Sequence, residues 1–381
     1  MKIIYITNSR IPTTKAHGFQ IMKMCEAFTR SGCDVELLIP RRINPIKDSS
    51  FGYYGIKESF VIKKIPVFDL ILLSGILGPV ANFIESFSFA IFSVWWLRKS
   101  DFDIIYSRDQ FTLWLLSFSN YKFVYEMHKL PNHTGLYKRI WRKAFKIIAI
   151  TEVLKNSIIK TGVKASKILV AHDGVDLDMF EAINNNIGEL RIELNLPEEQ
   201  FLAGYVGKFK TLGQEKGLKT MIESLPLLDK EIKMAFVGGD EAEVKEYKFL
   251  AQRFNVLSRC IFIGYQSYKN MIKYMKAMDA LILPSPDSPL AYYSSPLKLF
   301  EYLASGRPIV ASDLPALREV LNDKNSLFFK PDNVADLARA IKMLKSSQML
   351  GYHLSQQALA DIKQYTWTNR AKNILNFIKC I

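Results

Sequence analysis

The sequence predicts an α/β protein built from two doubly wound parallel sheets. In the first half, short apolar runs alternate with helical segments, beginning with a strand at 3–6 and an amphipathic helix at 18–31. This alternation indicates consecutive β-α-β units, which form a parallel sheet with right-handed crossovers. The pattern stops in a polar, Asn-rich stretch at 173–199 and then starts again. The chain is therefore expected to contain two such domains.

Each predicted domain has its own series of strands and helices. The strands of the first domain are predicted at 3–6, 35–39, 104–106, 123–125, 147–150 and 168–171. Those of the second are predicted at 202–206, 233–237, 260–263, 280–283 and 308–311, with helices near 216–228, 241–254, 268–277, 296–305 and 333–347. We place the N-terminal domain at 1–172 and the C-terminal domain at 173–365. A final helix at 366–381 is expected to pack back on the N-terminal domain.

Composition and charge limit the classes of function. The 381 residues are 49% hydrophobic, which provides for two cores and argues against disorder. The four cysteines form no C-x-x-C pair, so we expect reduced thiols in a cytoplasmic protein without a zinc site. The net charge of +14 favours an anionic partner such as a nucleotide or a membrane surface. No motif for nucleic-acid binding is present, so a nucleic-acid partner is not expected.

The most apolar region, at 65–97, bears on membrane association. It is interrupted by Pro66, Asp69, Pro79, Asn82 and Glu85. We therefore expect no run long enough to span a membrane. This region and the basic segment 136–146, which contains Trp141 and Phe145, both lie in the N-terminal domain. Together they suggest peripheral contact with an anionic membrane on its cytoplasmic face, although a buried helix beside a basic outer helix has the same pattern.

The segment at 284–313 carries the clearest sign of a binding site. Ser295 is predicted as the N-cap of a helix whose first residue is Pro296. The N–H groups of Leu297 and Lys298 would then point out of the helix start, where phosphate binds well, and Lys298 adds a positive charge. Glu301 lies just under two turns into the helix and could accept hydrogen bonds from a ribose. An ordinary capped helix would show the same local pattern.

Several further segments carry a family resemblance through their order along the chain. They are the first loop 7–18, Gly174-Val-Asp176 with Phe180, Tyr205-Val-Gly-Lys-Phe209 followed by Lys216-Gly217, the glycine turns at 237–239 and 262–264, the helix segment 293–301, and Tyr365-Thr-Trp367. This series resembles the family 4 retaining glycosyltransferases, whose GT-B fold consists of two facing Rossmann-like domains with a C-terminal crossover helix. The resemblance runs along nearly the whole chain and is weakest at 44–99.

The resemblance implies a site for a nucleotide-diphosphate sugar and roles for particular residues. The implied donor-binding residues are Gly207, Lys208, Lys216, Gly238, Gly264, Ser294, Ser295, Leu297, Lys298 and Glu301. His128, Lys208 and Lys216 are the implied catalytic residues, while His17 and Gly18 would contact the acceptor or the diphosphate. The predicted activity is transfer of a hexose to a glycan or lipid-linked acceptor with retention of configuration, without a cofactor.

Individual residue types agree with this chemistry. Lysines can stabilise a departing diphosphate, and Gly207 and Gly217 permit close approach of the backbone to phosphate. His128 follows the strand at 123–125, and carboxyl ends of parallel strands face the ligand crevice. Glu126 is expected to point into the helix layer. No metal site is expected, because no D-x-D lies on a suitable loop and no His/Cys set is clustered. Asp101-Phe-Asp103 has the letters of the motif but directly precedes a strand and is interpreted as its entry.

Two departures from the family pattern leave other functions open. Tyr293 stands where the first Glu of the E-x7-E motif is expected, so the contact to the donor sugar is not assigned. Lys208 stands where arginine is usual, and it keeps the charge without the bidentate geometry. The alternatives are a non-catalytic GT-B subunit and another GT-B enzyme such as a nucleotide-sugar epimerase. The donor base, the sugar, the acceptor and the oligomeric state cannot be read from the sequence.

Overall fold

The computed structural model describes residues 1–70, 78–131, 135–211 and 213–380. The chain divides into two compact units, called unit 1 and unit 2. Unit 1 consists of Met1–Asp173 and Trp367–Ile381, and unit 2 consists of Gly174–Thr366. Each unit is built around a parallel sheet covered by helices, so the predicted α/β fold class is confirmed.

Unit 1 contains a seven-stranded sheet in the order β3-β2-β1-β4-β5-β6-β7. All neighbouring strands are parallel. The central strands are continuous apolar runs because helices cover the sheet, and Ile3, Ile4 and Ile6 are fully buried. The strands are β1 (Lys2–Ile6), β2 (Asp34–Pro40), β3 (Val61–Ile65), β4 (Ile104–Ser107), β5 (Phe123–Met127), β6 (Lys146–Ala149) and β7 (Ile168–Val170).

The described part of unit 1 contains seven α-helices. They are α1 (Ala16–Arg30), α2 (Ser50–Tyr54), α3 (Pro79–Leu97), α4 (Gln110–Leu116), α5 (Gly135–Lys143) and α6 (Glu152–Ile159), together with the last helix of the chain, Trp367–Lys379. That last helix packs on α1. It therefore brings residues from the end of the chain to the first helix of the same unit.

The expectation for the apolar region of unit 1 was wrong. Pro79 is the first residue of α3, a position whose N–H would have no partner within the helix, so proline is tolerated there. Asn82 and Glu85 lie inside the helix without breaking it. The result is one helix of 19 residues that is long and apolar enough to cross a membrane by length and composition alone. Core helices of soluble proteins pass the same test, and seven residues of α3 are buried in unit 1.

Unit 2 contains a six-stranded parallel sheet in the order β12-β11-β8-β13-β14-β15, and a separate two-stranded hairpin, β9-β10. The strands are β8 (Phe201–Val206), β9 (Lys210–Thr211), β10 (Gln214–Glu215), β11 (Ile232–Gly239), β12 (Cys260–Gly264), β13 (Ala280–Leu283), β14 (Ile309–Ser312) and β15 (Leu327–Phe329). Apolar clusters fill both faces of the sheet.

The helices of unit 2 continue the numbering. They are α7 (Leu177–Glu181), α8 (Ile187–Glu193), α9 (Leu218–Ser224), α10 (Glu241–Arg253), α11 (Tyr268–Ala277), α12 (Leu297–Ala304), α13 (Pro315–Arg318), α14 (Val334–Ser346) and α15 (Gln348–Asp361). The last helix of the chain, in unit 1, is therefore α16. In unit 2, α12 lies between β13 and β14, so the segment before it starts at the carboxyl end of β13.

Candidate functional site

A pocket in unit 2 opens beside the carboxyl end of β13 and the start of α12. Its lining comes from β8, the β10–α9 connection and the segment that follows β13. The lining residues include Tyr205, Glu215, Lys216, Pro284, Ser294, Pro296 and Lys298. Carboxyl ends of parallel strands are where open α/β sheets bind ligands. The structure thus brings Lys216, Ser294 and Lys298 to one pocket, as the sequence predicted.

The start of α12 differs from the prediction by one residue. Pro296 has an extended backbone, with φ −72° and ψ 136°, and is the N-cap, so the helix begins at Leu297. Ser295 is buried one position earlier, and its Oγ has no hydrogen-bond partner among the described residues. The Oγ of Ser294 donates to the carbonyl of Leu290 at 2.7 Å. The Ser295 hydroxyl therefore does not cap the helix, and no described residue forms a hydrogen bond with it.

Two lysines dominate the charge of this pocket. The Lys298 ammonium lies over the Tyr205 ring, 3.7 Å from its centroid, and donates to the Tyr205 hydroxyl. Burial and the nearby charge of Lys216 hold the pKa of Lys298 well below its ordinary value, although Glu301 opposes this. Burial also lowers the pKa of Lys216, while Glu215 opposes that decrease. Two crowded ammonium groups are stabilised when an anion binds between them.

Glu301 lies three residues after Lys298 on α12 and is buried, with 8% of its surface exposed; it is not among the residues that line the pocket. Burial raises the pKa of Glu301 to about 7, although Tyr268 and Lys298 lower it. A carboxylate with so few partners can accept hydrogen bonds from ligand hydroxyl groups.

The predicted glycines differ in whether the surrounding structure has room for a larger residue. Gly217 has φ +85°, and a Cβ there would lie 1.5 Å from the Pro284 carbonyl oxygen. Gly238 has φ +112°, and its Cβ would lie 2.8 Å from the carbonyl oxygen of Gly207. Backbone packing therefore requires glycine at these positions. Gly264 has only an ordinary contact at 3.8 Å. The side chain of Lys208 is exposed and does not line the pocket.

A second cluster of functional groups lies in unit 1, around His128. The imidazole Nε2 lies 2.5 Å from Oε1 of Glu126, and the same oxygen accepts from Gln20 at 2.6 Å. His128 and Glu126 are two residues apart at the end of β5, so their side chains lie on the same side of the strand. Glu126 does point into the helix layer, as expected, because it contacts Gln20 on α1 and Arg370 on α16, and these contacts make it part of the His128 cluster.

Further charged and polar groups complete the His128 cluster. Arg370 on α16 lies 3.3 Å from Oε1 of Glu126 and 3.8 Å from Oδ1 of Asp173. The hydroxyl of Tyr106 on β4 donates to the other Glu126 oxygen. Although burial acts in the opposite direction, Arg370 and the hydrogen bonds hold the pKa of Glu126 well below its usual range. Burial and Arg108 lower the pKa of His128.

His17 and Gly18 were predicted in the first loop, but they lie in the first turn of α1, which begins at Ala16. A Cβ on Gly18 would lie 2.3 Å from the Tyr54 hydroxyl and 2.5 Å from Cγ2 of Thr13. That hydroxyl accepts from the Thr13 N–H at 2.8 Å, which ties α2 to the loop. Packing thus accounts for glycine at this position. The acceptor-binding roles of His17 and Gly18 stay predictions.

Sequence reasoning missed several residues that contact the predicted ones, either directly or through one intervening side chain. They are Tyr205, Gln20, Glu126, Arg108 and Arg370. The E-x-H spacing at a strand end was a usable signal for Glu126, because it places both side chains on one face. Arg370 gave no local signal, since its contact spans 244 residues of sequence.

Comparison with known proteins extends these observations. The family profile described as Glycosyltransferase Family 4 matches residues 18–179, and the profile described as Glycosyl transferases group 1 matches residues 186–361. The two matches follow one another and together cover most of both units.

Individual relatives agree with the profiles. A glycosyltransferase of Methanocaldococcus jannaschii is 22% identical over 241 residues, which cover 61% of this chain and 60% of the relative. The glycosyltransferase TuaC of Bacillus subtilis, whose name assigns it to teichuronic acid biosynthesis, is 26% identical over 213 residues, covering 56% and 50%. The matched part of this chain thus spans between half and three fifths of these relatives. The crystal structure of Anabaena HepE in complex with UDP-glucose superposes over 100% of both chains, with a TM-score of 0.77 and 17% identity.

Proposed function

The chain belongs to the family 4 glycosyltransferases and has the GT-B fold, and on that premise we propose that it transfers a hexose from a nucleotide-diphosphate sugar to a glycan or lipid-linked acceptor. We place the donor in unit 2 and the acceptor in unit 1. The proposal includes retention of anomeric configuration, and chemistry without a metal or cofactor.

The observation that carries this proposal is the pair Lys216 and Lys298. Both side chains line one pocket, and burial lowers the pKa of each, so both ammonium groups have lost solvation that a bound anion would offset. A diphosphate would supply that charge, and its negative charge increases as the sugar departs. Lysines already in place stabilise such a leaving group without reorganisation. Glu301 is suited to the ribose hydroxyls, and HepE in its UDP-glucose complex shows that this fold holds such a donor.

Nucleotide release from a panel of UDP-, GDP- and ADP-sugars tests the proposal, with and without lipid-linked acceptors. We expect turnover with one donor, insensitivity to EDTA, and a product whose anomeric configuration by NMR matches the donor. Lys216→Ala should lower kcat more than it raises KM, because the charge acts on the leaving group. Lys219→Ala is the matched control, since Lys219 is exposed and paired with Glu223.

The outcomes separate the alternatives. Binding of a nucleotide sugar without turnover on any acceptor favours a non-catalytic subunit, and interconversion of the free nucleotide sugar favours an epimerase. If no nucleotide sugar binds at millimolar concentration, the donor site is refuted. Lys216→Ala with unchanged kcat would reject the leaving-group role.

We further propose that unit 1 contacts an anionic membrane on the cytoplasmic side to reach a lipid-linked acceptor. The support is the outer face of α3, where Val80, Phe83, Ile91 and Trp95 are each about half exposed, at 55%, 54%, 46% and 51%. Lys99 lies 4.6 Å from the Trp95 ring. Exposed aromatic side chains beside basic ones suit a lipid interface.

The structure corrects one part of the sequence-based membrane hypothesis. Trp141 on the basic helix α5 is fully buried, so it is not available to a lipid surface. The reason is that α5 is amphipathic, with Ile140 and Trp141 facing the unit, while Arg142 and Lys143 are exposed. The apolar contact is therefore assigned to α3.

Co-sedimentation with vesicles containing anionic lipid tests the membrane proposal. Binding should weaken as salt increases, and Ile91→Ser with Trp95→Ser should reduce it. Phe249→Ser is the matched control, because Phe249 is 62% exposed on unit 2. Equal binding by the double variant and the control would contradict the assignment of α3.

A further inference from the structure

The Glu126 carboxylate is surrounded by hydrogen-bond donors from separate elements. Oε1 contacts Gln20 on α1, His128 after β5 and Arg370 on α16, at 2.6, 2.5 and 3.3 Å. Oε2 accepts from the Tyr106 hydroxyl on β4. A carboxylate that accepts this many donors beside a guanidinium is ionised and only accepts. His128 must therefore be the donor in its contact with Glu126.

The hydrogen bonds of Gln20 lead to the same conclusion. Its Oε1 accepts from Arg108 at 2.7 Å, which fixes the orientation of the amide. Its two N–H hydrogens are used by Glu126 at 2.6 Å and Asp173 at 3.1 Å. No hydrogen of Gln20 remains for the His128 Nε2, which lies 3.2 Å away. The proton on that ring nitrogen therefore belongs to His128.

The opposite ring nitrogen is then available to a ligand. In neutral histidine, a proton on Nε2 leaves Nδ1 as an acceptor. Nδ1 makes no hydrogen bond with any residue in the described part of the chain. The side chain is 19% exposed, whereas Glu126 is fully buried.

We propose that Glu126, paired with Arg370, is a positioning residue that fixes His128 with its proton on Nε2, so that Nδ1 accepts a hydrogen bond from a substrate hydroxyl. The substrate role rests on the proposed function, but the protonation of the ring does not. The hydroxyl belongs to the acceptor or to the transferred sugar. Arg370 links this arrangement to α16, because its Nε also donates to the His172 carbonyl at 2.9 Å.

Charged groups from several elements surround His128 and set its titration. Burial and Arg108 favour the neutral ring, while Glu126 and Asp173 favour the charged ring. Removing the charge of Glu126 should therefore lower the pKa of His128 further. The ring is already neutral near pH 7. At that pH, Glu126→Gln therefore removes the carboxylate that accepts from Nε2 but leaves His128 uncharged.

Nitrogen NMR of protein labelled with ¹⁵N-histidine tests the protonation directly. The signals of His128 are assigned by their loss in His128→Asn. We expect Nε2 protonated and Nδ1 bare above the pKa, and a lower pKa in Glu126→Gln. A proton on Nδ1 in the wild type would overturn the proposal, as would a pKa that Glu126→Gln leaves unchanged.

Kinetics separate positioning from simple structural support. Glu126→Gln should lower kcat by about tenfold or more with little change in donor KM, since a positioned acid or base contributes more than this. His128→Asn, which can place an acceptor near the Nδ1 position, should keep more activity than His128→Gln. Equal loss in both His128 variants would overturn the role of Nδ1.

Controls keep the two proposals distinguishable. Glu58→Gln changes an exposed carboxylate of unit 1 and should leave kcat and the His128 pKa unchanged. If Glu126→Gln does not fold, NMR of the wild type still tests which ring nitrogen of His128 carries the proton. The two His128 variants still test whether Nδ1 contributes to activity. If the wild type transfers no sugar, the proposed function fails, while the protonation of His128 is still decided by NMR.

Discussion

Donor binding should depend on pH through Glu301, whose pKa is about 7 because the carboxyl is buried. We expect ribose hydroxyls to donate to the carboxylate form, since hydrogen bonds to ionised acceptors are the stronger ones. Below pH 7 the free protein holds a proton that the donor must displace. Affinity is therefore present above pH 7 and is lost as pH falls through that value.

The magnitude follows from the fraction of Glu301 that is ionised. With a pKa of about 7, about one tenth of the carboxyl is ionised at pH 6 and about nine tenths at pH 8. Donor affinity should therefore fall about ninefold between pH 8 and pH 6, or by about 1.3 kcal/mol. Glu301→Gln should bind more weakly at pH 8 and lack this component of the pH dependence.

Calorimetric titration at pH 6, 7 and 8 and constant ionic strength provides the measurement, with UDP-glucose as the first donor tried. A nucleotide sugar is preferable to free UDP, because a terminal phosphate titrates near pH 6 and would add its own pH dependence. Glu301 raises the pKa of Lys298, so Glu301→Gln also changes the titration of that lysine. The comparison is therefore repeated in a Lys298→Met background, where the difference isolates Glu301. Identical pH slopes in the two proteins would refute the ribose assignment.

Two further predictions concern the same pocket. Lys298→Met should raise the Tm of the free protein near pH 7, because burial of the charged lysine, which lowers its pKa, is unfavourable for folding. The same variant should weaken donor binding by about tenfold or more, because it removes a charged hydrogen-bond donor. Lys248→Met, at an exposed position of α10, should change neither Tm nor donor affinity. A fall in Tm for Lys298→Met would contradict the reasoning. Gly217→Ala should destabilise by several kcal/mol, about 3 or more, because the new methyl would overlap the Pro284 carbonyl. Gly213→Ala has a similar φ, +76°, with open space around it, so its cost should be about 1 kcal/mol, and equal losses of Tm would show that overlap is unimportant.

The central strands of both sheets were predictable because they are buried on two faces and read as continuous apolar runs. The edge strand β3 was missed, since Val61, Lys63 and Lys64 are exposed and the strand carries no such run. The continuity of α3 was also missed. Pro79 and Glu85 look like interruptions, but one stands at the helix start and the other is buried against Arg42.

The candidate site was predictable where one segment carries its chemistry. Lys298 and Glu301 lie three residues apart on one helix, so local spacing placed them together. The interaction of Lys298 with Tyr205 and that of Glu126 with Arg370 depend on which strands and helices become neighbours in space. The N-cap was displaced by one residue because Pro296 keeps an extended ψ, which helix-start preferences at Ser295 did not reveal.

The most direct test of the account is an experimental structure with a bound nucleotide-diphosphate sugar. We expect the diphosphate oxygens to lie within hydrogen-bond distance of the Lys216 and Lys298 ammonium groups, with the ribose hydroxyls on Glu301. A diphosphate bound elsewhere in the chain, with these three side chains unchanged from the free protein, would contradict it.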